Sequence, residues 1–306
     1  MTERRWCWTA PLYLVLLMTV VVALRTMLKP QPVAEVENKL LKMDRSQLIL
    51  TSAPCNSSAP PVWIAIVSSA PNNSFHRQEI RRTWGQGRTV VFLLGAASPQ
   101  LQPLIEMESR QYGDIVQGSF VDSYRNLTYK HVMGLQWASN HCPGAKYFLK
   151  TDDDVFVNTV YFENYLPGLP ERRLILCPLM ERAMVKRSYR SKWRVTHDEY
   201  SERWYPPYCM GWVILYSPDA ALALSNEALK EPYFWIDDVH ITGTIAKKLN
   251  LTHTPLGDLG IGEEITEEMI SGDPRTDFMF SLTKPKYFQT LWNMVNDIIS
   301  STTKNV

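Results

Sequence analysis

The chain has 306 residues, of which 45% are apolar, and a formal net charge of +1. That length allows one large domain or two small ones with a sizeable core, and the near-neutral balance excludes a nucleic-acid binder that works through a basic surplus. Ten Trp and fourteen Tyr supply flat rings for a core and, where exposed, for stacking on sugar faces.

In chain order, the first element is an uncharged run at 6–24, WCWTAPLYLVLLMTVVVAL, with Arg4 and Arg5 before it and Arg25 and Lys29 after it. About 20 apolar residues span a bilayer, and this length suits the thinner early-secretory membranes. The run is longer than the apolar part of a signal peptide, and no small-x-small cleavage site closes it. It is therefore predicted to be an uncleaved signal anchor behind a cytoplasmic tail at 1–5. Flanking charge does not orient it, since both sides carry two basic residues. The N-x-S/T sequons at Asn56, Asn72, Asn126 and Asn250 all lie downstream and predict a glycosylated lumenal body. Cys55, Cys142, Cys177 and Cys209 can form two disulfides there in three connectivities, while Cys7 at the membrane edge is expected to stay unpaired. The reading is a single-pass type II protein of the Golgi membrane.

Residues 25–61 are polar with prolines at both ends and read as a stem. From 62 the pattern changes, and 62–306 is predicted to be the lumenal catalytic domain. Continuous apolar runs at 62–70, 90–96, 114–120 and 146–154 read as buried strands, and 72–84, 101–112 and 127–140 as the helices between them. This alternation predicts an α/β fold with a mostly parallel central sheet and flanking helices. Ligands in such sheets sit at the carboxyl ends of strands, so the chemistry is expected just after Lys150.

There the sequence reads Asp152-Asp153-Asp154. Consecutive carboxylates repel and need a cation or donors to compensate them. In an extended segment Asp152 and Asp154 point one way and Asp153 the other. Such a site suits a hard divalent ion, Mn²⁺ or Mg²⁺, together with diphosphate oxygens. The plain alternative is an acidic loop that caps the next helix.

At this point the chain resembles the β-1,3-galactosyltransferase and β-1,3-N-acetylglucosaminyltransferase family, glycosyltransferase family 31. The resemblance is carried by EIRRTWG (79–85), FVDSYRNLTYKH (120–131), KYFLKTDDDVFVN (146–158), KWRVTHDEYSERWYPPYCMGW (192–212) and WIDDVHITG (235–243). It implies a GT-A type nucleotide-sugar-binding fold, a UDP-sugar donor, and a glycan acceptor on glycoprotein or glycolipid. It further implies a metal on Asp154, nucleotide-sugar contacts from Asp152 and Asp153, a catalytic base at Asp238 and an acceptor-orienting acid at Asp237. Trp193 falls in the stretch where the family receives acceptor, and is the candidate platform. Arg77 and Arg81 share a helix face; Arg81 is the candidate for the nucleotide, and the rival is a basic face paired with acids such as Glu79. For Asp122 and its neighbours a structural role, tying down a loop, is expected.

Two departures from the family pattern stand out. Ser281 in FSLTKPKYF takes the place of a His that serves the family as a second metal ligand, so metal affinity should fall or another group must complete the shell. Val213 in CMGWVILYS replaces a second glycine that often follows Gly211, and is expected to narrow the donor pocket. Ser281 also sustains a rival function, a catalytically weak transferase-fold protein that binds glycan or helps a partner enzyme.

Overall fold

In the computed structural model the chain divides into units Met1–Glu37 and Asn38–Val306. The structure describes Met18 and residues 48–303, except 53, 56–58 and 273. The expected tail, nearly all of the anchor at 6–24, Cys7, part of the stem and the sequon Asn56 lie outside the described residues. No helix among the described residues is long and apolar enough to cross a membrane.

The first half of the catalytic body runs β1 (Leu48–Leu50), β2 (Trp63–Ser68), α1 (Ser74–Arg82), β3 (Val90–Ala96), α2 (Gln102–Tyr112), β4 (Ile115–Val121), α3 (Leu127–His141), β5 (Tyr147–Asp152), β6 (Val155–Val157) and α4 (Thr159–Tyr165). The second half continues with β7 (Ile175–Cys177), β8 (Leu179–Met180), β9 (Tyr208–Cys209), β10 (Val213–Tyr216), α5 (Pro218–Ala228), a π-helix (Val239–Ile245), α6 (Ala246–Lys248), β11 (Thr254–Pro255), β12 (Gly260–Ile261), α7 (Glu263–Ser271), β13 (Phe280–Leu282) and α8 (Phe288–Thr303). The order in the main sheet is β1-β4-β3-β2-β5-β10-β7-β11. Its centre, β4-β3-β2-β5, is parallel as predicted. β1 pairs antiparallel with β4 on one side, and β10 runs antiparallel to both of its neighbours, β5 and β7, on the other, which makes the whole sheet mixed. The fold is mixed α/β with a central sheet.

The apolar runs become strands because both faces of the sheet are covered. Alternate residues of β2 serve opposite cores. Trp63, Ala65 and Val67 pack with Ile80 and Trp84 of the α1 segment and with Phe156, Phe280 and Leu291. Ile64 and Ile66 pack with Val132 and Leu135 of α3 and Leu224 of α5. Helix α1 ends at Arg82, and the turn that follows closes at Gly85, whose amide donates to the Ile80 carbonyl; a Cβ there would lie 2.8 Å from that same oxygen. Val213, opposite Thr151 on β10, is 1% exposed in the first of these cores. It thus fills the interior, because its position on the strand turns it inward.

Two disulfides form, Cys55–Cys142 and Cys177–Cys209, which selects one of the three connectivities. The first ties the segment before β2 to the end of α3 across 87 residues. The second joins β7 to β9 at the base of the long loop 181–207. Among the sequons, Asn72 and Asn250 are exposed, while Asn126 is half-buried and donates Nδ2 to the Val121 carbonyl at 2.8 Å.

Closing a long loop restricts the unfolded chain most strongly. Replacing Cys142 by Ser together with Cys55 by Ser is expected to lower stability by about 2–5 kcal/mol, read as an earlier midpoint in urea.

Candidate active site

The strand β5 ends at Asp152, and Asp153 and Asp154 form the turn into β6. The triplet is therefore not extended, and its three carboxylates enter three different environments. Asp152 receives Lys150 Nζ at 2.9 Å and keeps a side chain 40% exposed. Asp153 turns toward the start of α1 and accepts from Ser69 Oγ at 2.6 Å, Asn73 Nδ2 at 3.0 Å and His76 Nδ1 at 3.0 Å. Burial works against its charge, yet these donors outweigh burial and hold its carboxyl below the usual range. Asp154 has no side-chain donor comparable to those of its neighbours, and its Oδ1 is buried without a hydrogen-bond partner. Burial first, then repulsion from Asp152 and Asp153, pushes its carboxyl up to about 6. An unpartnered buried carboxylate oxygen fits a hard cation. No group of three or more His, Cys, Asp or Glu arranged to hold a metal occurs among the described residues.

The second acidic pair meets the first through Lys150. This lysine is buried in the central strand, and its ammonium donates to Asp152 and to the Gly211 carbonyl. Burial opposes its charge, but the fields of Asp152, Asp237 and Asp238 raise its pKa. Asp238 caps the π-helix, accepting from the Val239 amide at 2.7 Å and from the backbone of Gly211. Gly211 suits this close approach, since a Cβ on it would lie 3.2 Å from the Asp238 Cβ and push that side chain back by a few tenths of an ångström. Burial, then the adjacent Asp237, pushes the Asp238 carboxyl up to about 7. Asp237 goes the other way: despite burial, the bond from His131 and the charge of Lys150 lower its pKa. Side by side, one acid is held ionised and its neighbour is poised near neutrality, the separation that general base chemistry uses.

His131 is a site residue that the sequence alone does not single out. It is buried on α3, with Nδ1 2.9 Å from Asp237 Oδ2 and Nε2 3.1 Å from the Tyr216 hydroxyl. A carboxylate only accepts, so Nδ1 carries the proton and Nε2 accepts from Tyr216. Burial lowers the imidazole pKa, and the ring orients Asp237 as a neutral donor. Lys150, Tyr124 and His76 are likewise revealed only by the fold. A lysine within an apolar strand is a visible signal for the first; nothing local marks the others.

The mouth of the site is aromatic. Trp193, 45% exposed, donates Nε1 to the Tyr124 hydroxyl at 2.7 Å. Lys192 Nζ lies 4.4 Å from the Trp193 ring centre. Burial and then the charges of Asp238, Asp237 and Asp152 raise the Tyr124 pKa, against the Trp193 bond, so this pair faces the acids. The Trp193 loop is tied from within by Arg187, which donates to the carbonyls of Val195, Thr196, Tyr200 and Glu202. Asp122 ties the preceding loop, accepting from Lys130 Nζ and the Gly95 amide.

Two residues sit elsewhere than expected. Arg81 donates to both oxygens of Asp114 at 2.7 and 2.8 Å, pairs with Glu108 at 2.8 Å and stacks on Tyr112. Its guanidinium braces α1 against α2 and β4, and the acids that take it come from outside its own helix. Ser281 is fully buried, and its hydroxyl is 2.6 Å from Thr266 Oγ1. The register of β13 with β6 places Leu282 opposite Val155, so Thr283, whose amide donates to the Asp154 carbonyl at 2.9 Å, is the neighbour of Asp154. A pocket of roughly 450 Å³ beside Asp154 is lined by Thr283, His76 and Lys284, among others, and not by Ser281.

Against this geometry stand the relatives. The galactosyltransferase family model matches residues 75–257, which takes in both acidic pairs, the Trp193 loop and Gly211. The chain belongs to the galactosyltransferase family. It is thereby a hexosyltransferase enzyme. Beta-1,3-galactosyltransferase 5 of Gorilla gorilla gorilla is 35% identical over 219 residues, 69% of this chain and 73% of that protein. The protein of that name from Homo sapiens is 34% identical, covering 69% and 70%. Beta-1,3-galactosyltransferase 1 of Mus musculus is 33% identical over 201 residues, 62% of this chain and 61% of that protein. Among solved structures, a glycosyltransferase involved in glycosylation of the major capsid of PBCV-1 covers 76% of this chain and 100% of its own at 10% identity, with a TM-score of 0.41, a likeness too slight to add to the fold assignment.

Breaking a buried ion pair by removing one partner typically costs about 3–5 kcal/mol. Lys150→Met is accordingly expected to lower the stability of this galactosyltransferase-family chain by about that much, measured by urea unfolding at pH 7.5, with less loss at pH 5.5, where the acids left behind are more readily protonated.

Proposed function

We propose that the chain is an inverting, GT-A type glycosyltransferase that moves galactose, or N-acetylglucosamine, from a UDP-sugar in β-1,3 linkage to a glycan on glycoprotein or glycolipid. In this reading it works in the Golgi lumen on a type II anchor at 6–24. The observation that carries the chemistry is Asp238, pushed up to about 7 beside an ionised Asp237, in a chain of this family. Asp238 takes the proton from the acceptor hydroxyl as that oxygen attacks the anomeric carbon, and a single displacement turns an α-linked donor into a β-linked product. Asp237, aligned by His131, orients the acceptor. Trp193 offers its exposed ring to a sugar face. Asp152 faces the donor with one oxygen on Lys150 and its side chain partly open, while Asp153 shapes the turn from α1. Mn²⁺ or Mg²⁺ would be held by Asp154, and when bound supplies positive charge for the departing diphosphate.

The helper-protein alternative depends on Ser281. That hydroxyl lies on Thr266 and does not serve Asp154, so Mn²⁺-dependent turnover is the measurement that separates the two readings.

General base assistance typically contributes about 10²–10⁴-fold. Release of UDP from UDP-galactose and UDP-N-acetylglucosamine by the full chain with Mn²⁺ and a glycan acceptor tests the reading. Asp238→Asn should lose activity by about that factor. A base works only when ionised, so wild-type kcat/KM should fall about tenfold per pH unit below about 7 and level off above it. A flat profile together with an active Asp238→Asn would defeat the assignment.

A further inference from the structure

The pocket beside Asp154 contains a second group with metal-binding chemistry. His76 lies on its wall, together with Asp154 and Thr283. The imidazole is 30% exposed, and its Nδ1 lies 3.0 Å from Asp153 Oδ1. Since a carboxylate only accepts, Nδ1 carries a proton; the same contact raises the imidazole pKa, so a cation binds at Nε2 by displacing the second proton. Nε2 is then the nitrogen left to serve the pocket. A histidine whose one nitrogen is fixed by a carboxylate, so that the other is presented in its basic form, is the usual arrangement of a metal-bound imidazole. In the lining of the same pocket, Asp154 Oδ1 and Thr283 Oγ1 are buried without hydrogen-bond partners. A carboxylate oxygen and an oriented imidazole together form part of a ligand shell that suits Mn²⁺ better than Mg²⁺, because nitrogen donors favour the transition metal.

We propose that His76 is a protein ligand to the divalent cation, binding through Nε2 together with Asp154 on the wall of the same pocket. This rests on the metal reading of the preceding subsection and deepens it. Asp153 thereby gains a definite role, since its carboxylate holds the imidazole in the ligating tautomer, and Ser69 and Asn73 hold the carboxylate. The shell is thus completed from α1 and not from β13, where Ser281 faces Thr266.

The test uses the full-length protein with Mn²⁺ and UDP, followed by electron paramagnetic resonance. Free Mn²⁺ is titrated for affinity, and pulsed spectra of the bound ion are read for coupling to a ¹⁴N nucleus. Wild type should bind Mn²⁺ with a histidine-type nitrogen coupling. His76→Asn keeps an amide donor for Asp153 and so separates a merely structural role from ligation. It should lose the nitrogen coupling, weaken Mn²⁺ by about 10–100-fold and narrow the preference for Mn²⁺ over Mg²⁺. His76→Asp, which offers an oxygen ligand, should recover part of the affinity without the nitrogen signal. Bound Mn²⁺ with no nitrogen coupling in wild type, or unchanged affinity and coupling in His76→Asn, overturns the assignment of His76 and leaves Asp154 as a metal ligand. Failure of the folded wild-type chain to bind Mn²⁺ even with UDP overturns the metal reading itself.

Discussion

The site is organised by one buried ammonium. Lys150 projects from the middle of a strand packed on both faces, and the fields of Asp152, Asp237 and Asp238 converge on it. Opposite charges about 4 Å apart interact by roughly 4 kcal/mol at the effective dielectric of a partly buried site, so this cation makes it tolerable to gather carboxylates from β5 and from the start of the π-helix. Its second bond, to the Gly211 carbonyl, fixes the backbone that in turn touches Asp238. One side chain therefore sets both the charge balance and the position of the acid nearest neutrality.

With that balance in place, neighbouring acids of identical chemistry take different states. Asp153 and Asp237 are surrounded by donors and stay ionised. Asp154 and Asp238 lie next to them, and burial together with the charge of the neighbouring acid raises both. Each pair contains one acid stabilised by the scaffold and one left with a demand that a ligand, cation or proton must meet. Stability is given up at Asp154 and Asp238, and the structure around them supplies the compensation.

Much of this is legible in the sequence. Apolar runs of strand length locate the four parallel strands, and the acids at the end of KYFLK mark the site, because both signals are local. The strands added beyond β5 are not legible: β10 and β7 are four and three residues long, too short to announce a direction. Asp153 and Asp154 escape the alternation expected of a strand because the chain turns at 153. His131 and His76 are unreadable for a different reason. Each acquires meaning only through a carboxylate 106 or 77 positions away, and no pattern in the surrounding residues anticipates such a pairing. Arg81 shows the converse: its charge suggests an anion partner, and the fold supplies Glu108 and Asp114 from within.

The Cys177–Cys209 bridge has a mechanical consequence. It closes a ring across 32 positions that contains Trp193 and the Arg187 staple, and it ends two residues before Gly211, the glycine against which Asp238 rests. Residues inside the ring and the seat of the acid are covalently joined over a very short span. The bridge thus anchors the base of the ring that carries Trp193 to the strand leading directly into the seat of the acid.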